Sequence, residues 1–273
     1  MSIKTLGFIG AGNMTGAIVK GLLASGFAPA NLILCNRTPA KLAAFADLGC
    51  IVTTDAEEAV ALSDALVLAV KPQLMKSVLL PLTESVQQRQ PLILSVAAAI
   101  GEASINHWLG GGLAIIRTMP NTPALVQAGA TGLFANGRVT EAHKEFAQGL
   151  FAGIGQYRWV DPEALIHSVT AAAGSAPAYF FRFAQAMSKT AQAQGLDEDQ
   201  ARVLIGQTML GAAKMILETD EPLEQMCQKV CSPKGTTERA IQSFEASDID
   251  LIVEKAMTAC FERSQELAEL LAD

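Results

Sequence analysis

The sequence predicts an α/β chain: a doubly wound parallel sheet in the N-terminal part, followed by an all-helical C-terminal part. Three observations carry this. Short, continuously apolar runs alternate with helix-length segments through the first half, as expected where helices cover both faces of a parallel sheet. A glycine-rich turn, Gly10-Ala11-Gly12, stands between the first apolar run and the first helical segment. Strand signals almost vanish after Trp159-Val160-Asp161-Pro162, where Ala-, Gln- and Glu-rich segments take over.

Taken in order, Leu6-Gly7-Phe8-Ile9 reads as a buried strand and Asn13 to Ser25 as a helix closed by Gly26. Leu32 to Cys35 is a second strand, and Pro39 to Leu48 a helix closed by Gly49. Ile51-Val52-Thr53 leads into an acidic helix over Ala56 to Leu62. Ala65 to Val70 is a fourth strand, stopped by Lys71-Pro72, and Leu92 to Val96 and Ala114 to Arg117 are two more. Helices are expected over Pro162 to Ala172, Ser175 to Gln194, Asp197 to Leu217 and Ile249 to Ala272.

A length of 273 residues fits two domains, drawn here as 1–161 and 162–273. Hydrophobic residues make up 50% and aromatics only 5%, so the core must be mostly Ala, Leu, Ile and Val. The helical part is Ala-rich and short, so its helices are expected to bury apolar faces against a second copy of the chain, with a dimer as the smallest folded unit. The net charge is −7 and no basic stripe exists, which argues against nucleic-acid binding. Five cysteines at irregular spacing and three scattered histidines predict neither a disulfide framework nor a metal site, and fit a reducing cytoplasm. Met1-Ser2-Ile3-Lys4 does not open a signal peptide. The longest apolar runs fall far short of the ~20 residues that span a bilayer, so a soluble protein is expected.

Six segments carry chemistry. Gly10-Ala11-Gly12-Asn13-Met14-Thr15 follows a strand and opens a helix, the context of a dinucleotide pyrophosphate turn, with Thr15 at the third glycine position. An ordinary strand-to-helix turn is the competing reading. Asn36-Arg37-Thr38 ends the second strand, where an NAD site normally places an acid for the ribose hydroxyl. Arg37 instead offers a planar fork for a 2′-phosphate, and Asn36 and Thr38 add hydrogen bonds. Ala69-Val70-Lys71-Pro72 lies at the C-terminal end of a central strand, the edge where open parallel sheets bind ligands, although Lys71 reads also as a surface lysine. Arg117 to Pro123 is a rigid polar loop, structural or site-lining alike. Ser175, in Ala173 to Tyr179, looks like an N-cap with Pro177 in the first turn. Ser232-Pro233-Lys234-Gly235-Thr236-Thr237 enters another helix, whose free amides suit a carboxylate as well as a simple cap.

Together these segments resemble pyrroline-5-carboxylate reductase along nearly the whole chain. The matching stretches are Phe8 to Met14, Ala69 to Pro72, Met119 to Pro123 and Gly174 to Tyr179, with Ser-Pro-x-Gly-Thr-Thr the most specific. The resemblance implies a Rossmann-like domain that binds NADP(H), with NADH used at lower efficiency. It also implies a helical domain that interlocks with a second subunit, and larger assemblies of dimers occur in the family. It places cofactor contacts on Ile9 to Met14, Asn36, Arg37, Ala69 to Pro72 and Val96-Ala97-Ala98. The substrate, 1-pyrroline-5-carboxylate, is expected near Ser175 and the Gly235-Thr236-Thr237 loop. Candidate catalytic residues are Ser175 and Thr237, and candidate substrate-binding residues are Ser232, Gly235, Thr236, Thr237 and Asn121. The chain departs from the family pattern at three positions: Ala99 and Lys234 stand where glycine is usual, and Ala173 where serine often occurs.

The implied reaction moves hydride to the C=N carbon of the cyclic imine, giving L-proline. No histidine lies in a motif, so positioning and electrostatics are expected to supply most of the catalysis. A 3-hydroxy-acid dehydrogenase shares the two-domain plan, but such enzymes need a lysine near the start of the helical domain, and none lies between Lys144 and Lys189. A non-catalytic NADP(H)-sensing module would leave the polar loops of the second domain without a role.

Overall fold

The computed structural model describes residues 3–272; the chain-end residues 1, 2 and 273, which the sequence reading includes, lie outside it. Among the described residues a single eight-stranded sheet runs in the order β3-β2-β1-β4-β5-β6-β7-β8. The strands are β1 (Leu6–Ile9), β2 (Leu32–Cys35), β3 (Ile51–Thr53), β4 (Ala65–Leu68), β5 (Leu92–Ser95), β6 (Ile115–Met119), β7 (Gly129–Ala135) and β8 (Gly155–Trp159). The first six are parallel, and β7 runs antiparallel to β6 and parallel to β8. This is the doubly wound order that reverses direction between β1 and β4.

Helices α1 (Asn13–Ala24), α2 (Ala43–Asp47), α3 (Ala56–Ala61), α4 (Met75–Leu79), α5 (Thr83–Arg89), α6 (Glu102–Trp108) and α7 (Glu141–Ala152) connect the strands. They create two buried clusters. One gathers Leu6, Phe8, Ile18, Leu34 and Phe151, and the other Ile9, Ile33, Leu66, Leu79 and Ile93. Neighbouring strand residues thus serve opposite faces, which is why these strands are apolar throughout. The segment expected as one helix over Pro39 to Leu48 is instead a 3-10 turn, Pro39–Lys41, followed by the short α2.

Strands β7 and β8 do not stand out in the sequence. β7 is rich in small residues and β8 opens on Gly155, at places where distant backbone and side chains approach closely. A Cβ on Gly132 would stand 2.6 Å from Val169 Cγ1, and one on Gly155 would stand 2.0 Å from Gly129 O.

The helical part comprises α8 (Leu165–Val169), a π-helical turn (Thr170–Gly174), α9 (Ala176–Ala193), α10 (Glu198–Glu218), α11 (Leu223–Val230), α12 (Thr236–Ala246) and α13 (Ile249–Leu270). Compactness divides the chain differently from the 161/162 boundary. One unit reaches Pro177 and takes back the chain from Cys260 onward, and the other is Ala178–Ala259. The cause is local. Buried Arg117 pairs with Glu163 at 2.7 Å, and the same Glu163 oxygen accepts the Glu102 N–H at the start of α6. His167 Nδ1 lies 2.8 Å from Ser264 Oγ on α13. These bonds fasten residues 163–177 and the last turns of α13 to the sheet. No described helix is long and apolar enough to cross a membrane.

Candidate functional site

Strand β1 delivers the chain to Gly10 at the C-terminal edge of the sheet. Gly10 has a φ of +108°, and a Cβ there would stand 2.5 Å from Ala69 O, so only glycine fits. Gly12 is a different case. Its φ of −99° is open to any residue, and an added Cβ meets no protein atom within 4 Å. The space it leaves lies outside the protein, at the N-terminus of α1, where unpaired amides and the helix dipole favour an anion. Thr15, at the third glycine position, is fully buried and donates its hydroxyl to Gly10 O at 2.7 Å. That bond ties the first turn of α1 to the loop.

A cavity of about 700 Å³ opens here, at the reversal point between β1 and β4. It is lined by Ile9, Gly10, Ala11 and Gly12 after β1, by Asn36, Arg37 and Thr38 after β2, and by Ala69, Val70 and Lys71 after β4. Leu74, Val78 and Pro81 give it an apolar wall. Folding thus brings together three segments that sequence alone places apart. Asn13, Met14 and Pro72 flank these segments but do not line the cavity, and neither do Val96, Ala97 and Ala98. The last three follow β5 along the same edge, where Val96 N–H donates to Leu68 O at 3.2 Å.

The cavity holds Lys41 as well as Arg37, both exposed. Sequence reasoning missed Lys41 because it treated Pro39 to Leu48 as a plain helix. The 3-10 turn, preceded by a bond from Thr38 N–H to Asn36 Oδ1 at 2.9 Å, carries it to the cavity rim. Asp55 also lines the cavity, but its carboxylate caps α3 by accepting the Glu57 and Glu58 amides. Burial, then the charges of Asp55 and Glu58, push the Cys35 thiol up, so it stays neutral and adds no anion to the cavity.

Ser175 stands directly before α9, with Pro177 in the first turn, as its sequence context suggests. Its φ and ψ of −91° and −21° are helical rather than extended, and its N–H donates to Thr170 O at 2.8 Å, so the π turn runs straight into the helix. The Ser175 hydroxyl accepts a hydrogen bond from Cys260 Sγ at 3.3 Å. Asn121, expected as a substrate contact, is buried with both ends of its amide engaged. Oδ1 accepts Ala130 N–H at 2.9 Å and Nδ2 donates to Ala173 O at 3.1 Å. Each end of its amide thus already holds one backbone partner.

In the second unit, Ser232 to Gly235 form a β-turn closed by Gly235 N–H to Ser232 O at 2.8 Å. Pro233 and a φ of +59° at Lys234 give the turn type II geometry, which favours glycine at that position. Gly235 caps α12, and a Cβ on it would meet Ser232 O at 2.8 Å, so the turn itself requires this glycine. Thr236 and Thr237 occupy the first turn of α12, where amides are unpaired. The Lys234 N–H donates to Glu238 Oε2 at 2.7 Å.

The family model described as pyrroline-5-carboxylate reductase dimerisation matches residues 163–267, and one described as NADP oxidoreductase, coenzyme F420-dependent, matches residues 5–99. A pyrroline-5-carboxylate reductase of Pseudomonas aeruginosa is 43% identical over 272 residues, covering 99% of both chains. That of Escherichia coli is 38% identical over 268 residues, 97% of this chain and 99% of the relative. Among solved structures, the Coxiella burnetii reductase is 39% identical with a TM-score of 0.93, over 98% of this chain and 99% of that one. The Plasmodium falciparum reductase with NADP bound is 25% identical with a TM-score of 0.86, over the same shares. Likeness of this extent, over both parts of the fold, makes the chain a member of the pyrroline-5-carboxylate reductase family.

Proposed function

We propose that this chain reduces 1-pyrroline-5-carboxylate to L-proline with NADPH, the final step of proline synthesis. The observation that carries the reading is the cavity at the sheet's reversal point, where Gly12 leaves open space before a helix N-terminus and Arg37 and Lys41 stand where an NAD site would place an acid. The fit to the cofactor is specific. The amides of Gly10 to Asn13 suit the pyrophosphate, and the two cations suit a 2′-phosphate. Lys71, at the end of β4, adds a third cation to the cavity. NADH lacks the 2′-phosphate and is used less efficiently.

When bound, NADPH supplies the hydride. The C=N carbon would accept it while the ring nitrogen carries a proton, so that the double bond would become the C–N single bond of proline. Ser175 and Thr237 are the proposed polar contacts to the imine. Ser232, Gly235 and Thr236 present amides and hydroxyls to its carboxylate. Catalysis rests on orientation and on electrostatics, with no metal and no histidine. Residues 162–273 form the module for substrate and self-association, as dimers or larger assemblies, and the protein works in the cytoplasm.

The test is turnover by the purified chain with the cyclic imine and NADPH, followed by loss of reduced nicotinamide. Oxidation of 3-hydroxy acids with NADP+ in place of imine reduction would assign the chain to the dehydrogenases. Cofactor binding without turnover of either substrate would make it a sensing module.

A further inference from the structure

The π-helical turn before α9 has an identifiable cause and an unusual support. In an α-helix the carbonyl of Ala173 would accept the N–H of residue 177. That residue is Pro177, which has none. The carbonyl therefore loses its α-helical donor at the place where the chain passes from the π turn into α9, and a half-buried carbonyl there gains from a replacement. Asn121 fills the gap: its Nδ2 donates to Ala173 O at 3.1 Å. The other end of the same amide accepts Ala130 N–H at 2.9 Å, so the side chain is braced against the start of β7. Met119, two residues earlier at the end of β6, presses on the same turn. A Cβ on Gly174 would stand 2.3 Å from Met119 Cε.

We propose that Asn121 is a positioning residue for imine turnover. It replaces the N–H that Pro177 lacks and thereby fixes the Ala173-Gly174-Ser175 turn against the edge of the sheet. The inference rests on the imine-reductase reading only for the activity it measures. It does not require Asn121 to touch the substrate, because the two bonds of its amide both go to the protein backbone. The loop from Met119 to Asn121 thus acts through the turn.

The pairing of Asn121 with Pro177 makes the idea testable by rescue. Asn121→Ala should lower kcat for the imine by up to about a hundredfold through misplacement of the turn, with the Kd for NADPH unchanged within about twofold. Pro177→Ala restores an N–H that the Ala173 carbonyl accepts within its own helix. In that background Asn121→Ala should recover most of the lost kcat. A merely structural residue would show additive losses with no recovery, and that result overturns the proposal, as does full activity in Asn121→Ala alone. Asn121→Asp, which keeps the acceptor for Ala130 N–H and sets an oxygen against the Ala173 carbonyl in place of the donor, serves if the alanine variant does not fold, and Pro177→Ala should recover part of its loss too. Ser175→Ala is measured in parallel. Unchanged turnover there removes Ser175 from the site without touching the Asn121–Pro177 coupling. If the unaltered protein does not reduce the imine, the functional reading fails instead. The four proteins of the cycle then report the coupling in their unfolding midpoints, where additive shifts count against it.

Discussion

Replacing Lys234 by glycine should make the protein more stable and a poorer binder of the imine at the same time. Lys234 holds a φ of +59°. A left-handed conformation costs a residue with a Cβ about 1–2 kcal/mol, and glycine escapes this. Against that, glycine's extra freedom in the unfolded chain costs about 0.4–1 kcal/mol. The side chain is exposed, so no burial is lost, and the bond from residue 234 to Glu238 is made by the backbone N–H and survives the change. The net gain is about 0.5–1 kcal/mol, a rise in Tm of about 1–4 °C for a chain of this size. Ala99→Gly is the control. Its φ of +63° carries the same strain, but the Ala99 methyl is buried. Losing it costs about 0.8 kcal/mol, which brings the net change close to zero. Thermal unfolding at one fixed protein concentration should therefore rank Lys234→Gly above Ala99→Gly. Loss of the cation beside the Ser232-to-Thr237 turn should raise the KM for the imine by about two- to fivefold, as a solvent-exposed charge allows. A lower Tm for Lys234→Gly, or a larger gain at Ala99, refutes the strain argument. An unchanged KM refutes the role of the charge.

Arg37→Ala and Lys41→Ala should each weaken NADPH use by roughly tenfold or more while sparing NADH, because both stand in the cavity where a 2′-phosphate would lie; equal losses for the two cofactors would count against that placement. The helical unit exposes Phe180, Phe181, Val203, Leu204 and Leu217 in the single chain, so unfolding midpoints should rise with protein concentration, and sedimentation of an active, well-folded monomer would contradict this. Burial, then Arg117, holds His167 below its ordinary range, with Glu163 opposing. A depressed pKa means the unfolded chain takes up the proton first, so this stability is present above the ordinary value of ~6.5 and is lost as pH falls below it. Urea midpoints should drop as pH falls below about 6.5, and His167→Asn should flatten that drop; an unchanged slope rules His167 out as its source.

The first six strands and helices α1 and α3 are legible in the sequence because each is a local pattern, whereas α4, α5 and α6 are not among the elements it predicts. A strand covered on both faces is apolar throughout, and a helix with one buried face repeats its apolar residues. The phosphate-type turn is legible for the same reason: strand, glycines and helix follow one another within Leu6 to Ala24. Lys41 was hidden by one error of element type, since a 3-10 turn and a helix send that side chain to different places. Asn121 was visible as a polar residue in a stiff loop, but its partner is a carbonyl 52 residues away.

By itself, then, the sequence determined which segments form the parallel sheet, where the nucleotide-type turn lies, which charge stands after β2 and to which family the chain belongs. All of these are properties of contiguous residues. The tertiary structure alone decided the rest. It placed β7 and β8 in the sheet, where Gly132 lies beneath Val169 and Gly155 crosses Gly129. It joined Ser175 to a preceding π turn that the sequence does not announce, and it gave Ala99 and Lys234 the left-handed backbone that suits glycine. The physical reason is the same in each case. Local sequence encodes which side of an element is buried, whereas close approach between distant backbones depends on the space left when the elements meet, and no single segment carries that information.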